Sequence, residues 1–338
     1  MLPALAVADA LSRRGVLVTF AGSPDRVEAR LVPEAGYELD TFRITGFPRR
    51  ASIELARAAL LAGAAPRACR RILRARQPDV VLGGGGFVAG PMVFAASRLG
   101  IPTALTEADA HLGLANRLAA PFARKIFLAY PIDLRRYRDR VRVVGRPIPE
   151  RSQAEGQAEA RALFELPAEG RVLGIFGALA GARALNELAV DTWGAAGPAI
   201  LHITGSRDYE LVRSRIGRDD YRVLPETDRF GAALSATDLV LARSGSTVWE
   251  VAAAGRPAVF VPYPFATGDH QALNAQHFVT AGGAIMVREA ELASVPELVR
   301  SLLDDSPRLE RMGAAMLAAA RPNAADEIAD ELIALAGR

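Results

Sequence analysis

"VVLGGGGFVAGP", residues 80–91, decides the fold. The apolar run ending at Leu82 has the length and composition of a buried strand, the four glycines that follow form a turn, and a helix opens near Gly90-Pro91. A buried strand that breaks into a glycine loop and then a helix is one repeat of a parallel α/β sheet. The uncharged stretch from Val80 to Ser97 approaches the length of a membrane span, but its glycines and Pro91 break it into strand, loop and helix.

Outward from this stretch the alternation continues to both ends. Strands are predicted at 16–20, 80–82, 103–106, 125–128 and 142–144, and again at 172–176, 200–203, 221–224, 239–242, 258–261 and 284–286. Helices are predicted at 54–76, 182–193, 229–236, 247–254 and 270–281. The chain opens on a helix with Pro3 in its first turn, Arg13 and Arg14 in its last and Gly15 past its end. That helix reads as the crossover of a β-α-β unit, ahead of its first predicted strand. The polar stretch 149–156, after Gly145-Arg146-Pro147, reads as a linker between two domains, 1–148 and 149–338, with the last helix expected to pack back on the first. Both domains are of the doubly wound class. Such folds bind ligands at the carboxyl ends of their strands, so two of them facing each other enclose a cleft.

Composition narrows the function. With 41 basic and 38 acidic residues the net charge is +3, too balanced for a general nucleic-acid binder. The single cysteine, Cys69, excludes an internal disulfide framework and a cysteine zinc site. The four histidines show no metal-ligand spacing.

Three stretches offer chemistry. Backbone amides at Gly83, Gly84, Gly85 and Gly86, with the helix start behind them, make a cradle for an anion. No Gly-Lys-Ser/Thr follows, which excludes a nucleotide-hydrolysing P-loop. Gly84, Gly86 and Ala89 match a dinucleotide fingerprint with Glu107 downstream, and the same glycines also suit a tight turn between strand and helix. In "IFGALAGAR", residues 175–183, amides near Gly177 and Gly181 are placed to face a diphosphate, while Arg183 also fits a solvated helix charge. The third stretch runs from Arg243-Ser244-Gly245-Ser246-Thr247 to "DHQALN". Glu250 in the following helix suits both the helix dipole and a ribose, and Asp269, His270, Gln271 and Asn274 bring four hydrogen-bonding side chains to one rim, as a sugar requires.

On these residues the chain resembles the GT-B glycosyltransferases, and more closely the MurG family. The likeness covers nearly the whole chain, through "EARLVPEAGYELDTFRITGF", "PDVVLGGGGFVAGP", "LGIPTALTEADAHLGLANRLAAPFARKI", "GARALNEL", "VWEVAAAGRPAVFVPYP" and "GDHQALNA". It implies a GT-B fold and an inverting transfer of N-acetylglucosamine from UDP-GlcNAc to an undecaprenyl-linked MurNAc-pentapeptide, on the cytoplasmic face of a bacterial plasma membrane. Family members open with a strand and a G-G-T-G-G-H loop ahead of V-x-P-A-L-A-V-A, which this chain joins at Met1. The resemblance thus implies an in-frame strand and that loop just upstream, with a GTG valine codon taken as the start. Alternatives are another GT-B enzyme, a glycolipid glycosyltransferase or a UDP-GlcNAc 2-epimerase, and a catalytically silent relative that binds UDP-sugar or lipid.

The resemblance also implies roles. Donor contacts fall on Thr227, Arg243, Ser244, Gly245, Ser246, Thr247, Val248, Glu250, His270, Gln271 and Gly181, with Glu250 on the ribose and the diphosphate on the amides of Ser246 and Thr247. The acceptor pyrophosphate falls on Gly83, Gly84, Gly85 and Gly86, and Asp109, then Glu107, is the candidate base, with Glu107 equally suited to be an orienting or capping carboxylate. No tightly bound cofactor is implied, and Mg2+ would enter with the substrate. Departures from the pattern are Thr106-Glu107-Ala108-Asp109 for H-E-Q-N, Pro149 for the Arg that ends G-N-P-V-R, Leu179 for the Ser of G-G-S-Q-G-A-R, and Phe265 for a His; the loop before Thr247 is one residue shorter. Ile53, Leu55, Leu60 and Leu61, flanked by Arg67, Arg70, Arg71, Arg74 and Arg76, suit a membrane contact and equally an amphipathic helix packed on the sheet.

Overall fold

The computed structural model describes residues 1–44, 53–149, 156–177 and 182–337. The linker core at 150–155, Gly181, and the side chains of Ile53, Leu55, Leu60 and Leu61 lie outside the described residues. The chain forms two compact units, Met1–Pro149 with Asn323–Arg338, and Glu150–Pro322.

The first unit runs α1 (Leu2–Arg13), β1 (Thr19–Gly22), α2 (Glu28–Glu34), β2 (Glu38–Thr41), α3 (Ile53–Arg76), β3 (Val81–Gly83), α4 (Gly86–Arg98), β4 (Thr103–Glu107), α5 (Leu114–Ala119), β5 (Lys125–Leu128) and β6 (Val141–Val143). Every strand pair is parallel, in the orders β1-β2 and β3-β4-β5-β6. The first strand starts later than its apolar run suggests. Val16 and Val18 pack on the core and Leu17 faces solvent, but the ladder with β2 begins only at Thr19, opposite Glu38. β2 is polar and carries no apolar run; Arg76 at the end of α3 fastens it through Glu38 and Asp40.

The chain's last helix, Ala324–Leu335, returns to this unit. Ala325, Ile328, Ala329 and Leu332 share one core with Ala6, Val7, Ala10 and Leu11 of α1 and with Phe127 of β5. Arg14 pairs with Asp326 at 2.7 Å and Asp330 at 2.8 Å. Those pairs are partly exposed and worth at most about 1 kcal/mol each, whereas a buried Ile or Leu contributes roughly 1.5–3 kcal/mol. The apolar seam therefore holds the helix.

The second unit contains α6 (Gln157–Leu163), β7 (Val172–Phe176), α7 (Arg183–Trp193), β8 (Ala199–Ile203), α8 (Tyr209–Arg213), β9 (Tyr221–Leu224), α9 (Phe230–Ala236), β10 (Leu239–Ala242), α10 (Val248–Ala253), β11 (Ala258–Phe260), α11 (His270–Thr280), β12 (Ala284–Met286), α12 (Val295–Leu303) and α13 (Ser306–Ala320). Its parallel sheet has the order β12-β11-β10-β7-β8-β9. The strands are short apolar runs buried on both faces, with Leu173, Ile175, Ile200, Leu239, Leu241 and Val259 inaccessible to solvent, as helices on either side require. The order reverses between β7 and β10, whose ends align at Phe176 and Ala242. Loops leaving that point diverge to opposite faces, which opens a crevice at the carboxyl edge.

Candidate active site

The second unit presents the richer half. At the switch point, Ala242 gives way to residues 243–247 and then α10. Arg243 is buried and spent inside the fold: Nη1 donates to the carbonyls of Val261 at 3.2 Å and Pro262 at 3.3 Å, Nη2 pairs with Glu289, and the guanidinium lies over the Tyr263 ring. It ties the ends of β10 and β11 to the segment after β12. Ser244 and Val248 are likewise fully buried, so what they offer a ligand is backbone. Ser246 is exposed, Gly245 and Thr247 are half-buried, and the amides of Ser246 and Thr247 find no acceptor among the described residues. Two unclaimed N–H groups side by side make an anion contact. The helix behind them has only six residues, so the loop amides rather than a long dipole carry this contact.

Glu250 sits half-buried in the first turn of α10. Across the loop, Gln271 in the first turn of α11 accepts from the Tyr263 amide through Oε1 at 2.9 Å. Its Nε2 is thereby turned the other way, 3.9 Å from where a Gly245 side chain would begin. Gln271 thus offers a donor, not an acceptor, beside the Gly245 loop. His270 lies half-buried next to it. Ahead of both, Gly268 and Asp269 adopt left-handed backbone, φ +63° and +52°, a conformation costly for Asp. A two-toothed pair from Arg288 to Asp269, both contacts 3.1 Å, braces it. Phe265 is exposed and meets Tyr263 edge-on at 5.6 Å. Thr227, in the loop after β9, caps its own turn by accepting from the Arg229 amide at 3.0 Å.

The first unit carries a second set at the ends of β3 and β4. The four glycines divide by function. A side chain on Gly83 would meet Leu105 at 2.7 Å and Val93 at 2.8 Å, so packing demands glycine there. Gly85 and Gly86 need it for their backbone, at φ +82° and +71°, which a residue with Cβ resists. Their amides open the thirteen-residue helix α4. Glu107 is buried at the end of β4 and receives four donors: the amides of Ala108 (3.0 Å), Asp109 (3.3 Å) and Gly113 (2.8 Å), and Asn116 Nδ2 (3.0 Å). Asp109 is half-buried, and its carboxylate takes no hydrogen bond from the described residues.

Sequence reading named no role for Asn116, Asn186 or His202. His202 Nε2 donates to Asn186 Oδ1 and Nδ1 accepts from the Tyr221 hydroxyl, each at 2.9 Å, while Asn186 Nδ2 donates to Asp208 at 3.0 Å. Burial drives the His202 pKa from 6.5 down to about 3, so the ring is neutral, and it pushes the Tyr221 hydroxyl up. The available signal was a polar residue at the inward phase of an apolar strand or helix, since a buried polar group needs a partner.

Family models match both halves: the glycosyltransferase family 28 N-terminal domain over residues 1–128 and the C-terminal domain over residues 172–328. The chain is 35% identical over 329 residues to the UDP-N-acetylglucosamine–N-acetylmuramyl-(pentapeptide) pyrophosphoryl-undecaprenol N-acetylglucosamine transferase of Halothermothrix orenii, covering 92% of this chain and 89% of that protein. It is 40% identical over 346 residues to the protein of the same name from Acidithiobacillus ferrooxidans, covering 100% and 95%. Among solved structures, the crystal structure of Acinetobacter baumannii MurG aligns with a TM-score of 0.78 at 28% identity, over 98% of this chain and 95% of that one. With its two parallel α/β units, the chain has the GT-B fold and belongs to glycosyltransferase family 28.

Proposed function

We propose that the chain transfers N-acetylglucosamine, with inversion, from UDP-N-acetylglucosamine to undecaprenyl-pyrophosphoryl-MurNAc-pentapeptide in peptidoglycan synthesis. The observation that carries this is identity of 35% and 40%, across almost the full length, to proteins named for that reaction. The site geometry supports it. Glu250 accepts from the ribose hydroxyls, and the unclaimed amides of Ser246 and Thr247 take the diphosphate, whose charge grows as UDP leaves. Gln271 Nε2 donates to a sugar hydroxyl, with His270 beside it. In the first unit, the amides of Gly84, Gly85 and Gly86 take the acceptor pyrophosphate. Asp109, with its uncommitted carboxylate, is the base that draws the proton from the acceptor hydroxyl. Any Mg2+ travels with the substrate phosphates.

No helix among the described residues is long and apolar enough to cross a membrane. The lipid acceptor is met instead at a peripheral surface of the first unit. Leu114 and Leu118, one turn apart on α5, are 66% and 65% exposed, and the exposed Phe94 of α4 and Phe122 just after α5 meet edge-on at 5.1 Å. Exposed Arg117 and Arg124 flank the patch, and Arg140 reaches the Ala123 carbonyl next to it. An apolar face with a basic collar suits an anionic leaflet.

The test is UDP release by the full-length chain given UDP-GlcNAc with and without the lipid-linked acceptor. Acceptor-dependent release, with Glu250→Ala weakening UDP-GlcNAc binding about 10-fold or more in calorimetry, supports the reading. Product formed without acceptor would replace it with an epimerase, and donor binding without turnover with a silent binder.

A further inference from the structure

Glu107 is the most heavily ligated carboxylate among the described residues, and its ligands are its own loop. Three of its four donors are backbone amides within six residues, and the fourth, Asn116, stands at the far end of that loop on α5. Asn116 Nδ2 also donates to the Thr106 carbonyl at 3.0 Å, and a side chain on Gly85 would come within 3.6 Å of it. One carboxylate thus closes residues 108–113 into a ring around itself, and Asn116 locks the ring to the end of β4 while standing against the glycine turn. An oxygen that already accepts two N–H groups can take a substrate proton only by giving up those bonds. The arrangement is that of an anion in a nest of amides, except that the anion is supplied by the chain.

We propose that Glu107 is the positioning residue of the acceptor half: it fixes the loop 108–113, and with it Asp109, and it exchanges no proton with substrate. The proposal rests on the transferase reading for its kinetic consequence, while its structural part stands apart from that reading. Asp109 hangs on this ring by its amide, 3.3 Å from Glu107 Oε1, so its reach toward an acceptor is set two residues upstream.

Two measurements test it on the full chain. The first is amide hydrogen exchange in Glu107→Gln and Asn116→Ala under native conditions. A glutamine keeps the size but turns one acceptor into a donor, so exchange at Ala108, Asp109 and Gly113 should rise about 10-fold or more, with amides elsewhere in the first unit unmoved. Unchanged protection at those three positions overturns the proposal, whether or not the chain is an active transferase. The second is steady-state kinetics across pH. For a positioning residue, Glu107→Gln lowers kcat/KM for the lipid acceptor at least about 10-fold, leaves UDP-GlcNAc affinity within twofold, and keeps the acid limb of the kcat profile where it was. Asn116→Ala shifts the same parameters in the same direction, and the double variant is no worse than the sum of the two. Loss of the acid limb in Glu107→Gln alone would make Glu107 the base and overturn the proposal. A parent chain inactive with the lipid acceptor would instead count against the transferase reading, with the exchange result still deciding the role of Glu107.

Discussion

His202 makes the second unit sensitive to acid in a calculable way. The ring is fully buried, bonded on both nitrogens, and titrates at about 3 rather than at the ordinary 6.5. The folded chain therefore keeps a neutral imidazole where the unfolded chain takes a proton. Stability from this residue is complete above pH 6.5 and is lost as pH falls from there toward 3, because the unfolded state binds the extra proton. Between pH 7.5 and 5.0 the loss is the 1.5 units below 6.5 multiplied by about 1.4 kcal/mol per unit, or about 2 kcal/mol. His202→Gln keeps a donor for Asn186 and cannot titrate. Both tryptophans, Trp193 and Trp249, lie buried in this unit, so fluorescence in urea follows its unfolding alone. Wild type should lose about 2 kcal/mol more than the variant between the two pH values, with carboxylate contributions cancelling in the difference. Equal losses in the two proteins would refute the reasoning, since they would mean that the ring protonates in the folded state.

Four further outcomes follow from the same geometry. Asp238 holds buried Arg161 at 2.8 Å and accepts from the Val172 amide, so Asp238→Ala should cost the second unit about 3–5 kcal/mol in the same urea assay. Gly83→Ala drives a methyl into Leu105 and Val93 and should cost about 1–3 kcal/mol. Gly86→Ala meets open space but the wrong φ, and should cost only about 1 kcal/mol; circular-dichroism melts of the pair check both. Leu118→Glu, at an exposed position, should leave the melting temperature within a degree or two and reduce co-sedimentation with anionic vesicles.

Much of the framework is legible in the sequence because its strands are apolar runs with polar ends. The ranges 125–128, 172–176, 221–224, 239–242 and 284–286 coincide with the observed strands. β2 is illegible because Glu38-Leu39-Asp40-Thr41 has no hydrophobic face and is placed by its ladder with β1, with Arg76 pairing to its carboxylates. Strand ends slip where pairing, not hydrophobicity, sets them, as at Thr19. In the candidate site, sequence identifies which residue types gather at a carboxyl edge, but not which way each side chain is spent. Arg243 and Glu107 are charged residues beside loops; sequence gives the first to a ligand and leaves the second open between a base and an orienting carboxylate, and the fold uses one as a clamp and the other as the centre of a ring.

Two asparagines to which sequence gives no role, Asn116 and Asn186, share one form with a third, Asn274, which sequence places on a sugar rim but which the fold buries and turns to the Ser244 carbonyl. Asn116, Asn186 and Asn274 are buried on three different helices, α5, α7 and α11. Each donates through Nδ2 to a main-chain carbonyl at the carboxyl end of a strand or just beyond it: Thr106 at 3.0 Å, Thr204 at 3.1 Å and Ser244 at 3.3 Å. Those carbonyls sit where the ladder to at least one neighbouring strand has ended, as β3 stops opposite Leu105 short of Thr106, so no strand on that side satisfies them. A buried unpaired carbonyl costs about 1–3 kcal/mol, enough to let the loop rearrange toward water. An amide side chain supplied from the next helix removes that option, and fixes the helix to the loop at the same time. Rigid loops on a carboxyl edge are what a transferase needs to hold donor and acceptor groups still during reaction. An asparagine at the inward phase of a helix that follows a parallel strand is therefore the sequence signal for a braced loop.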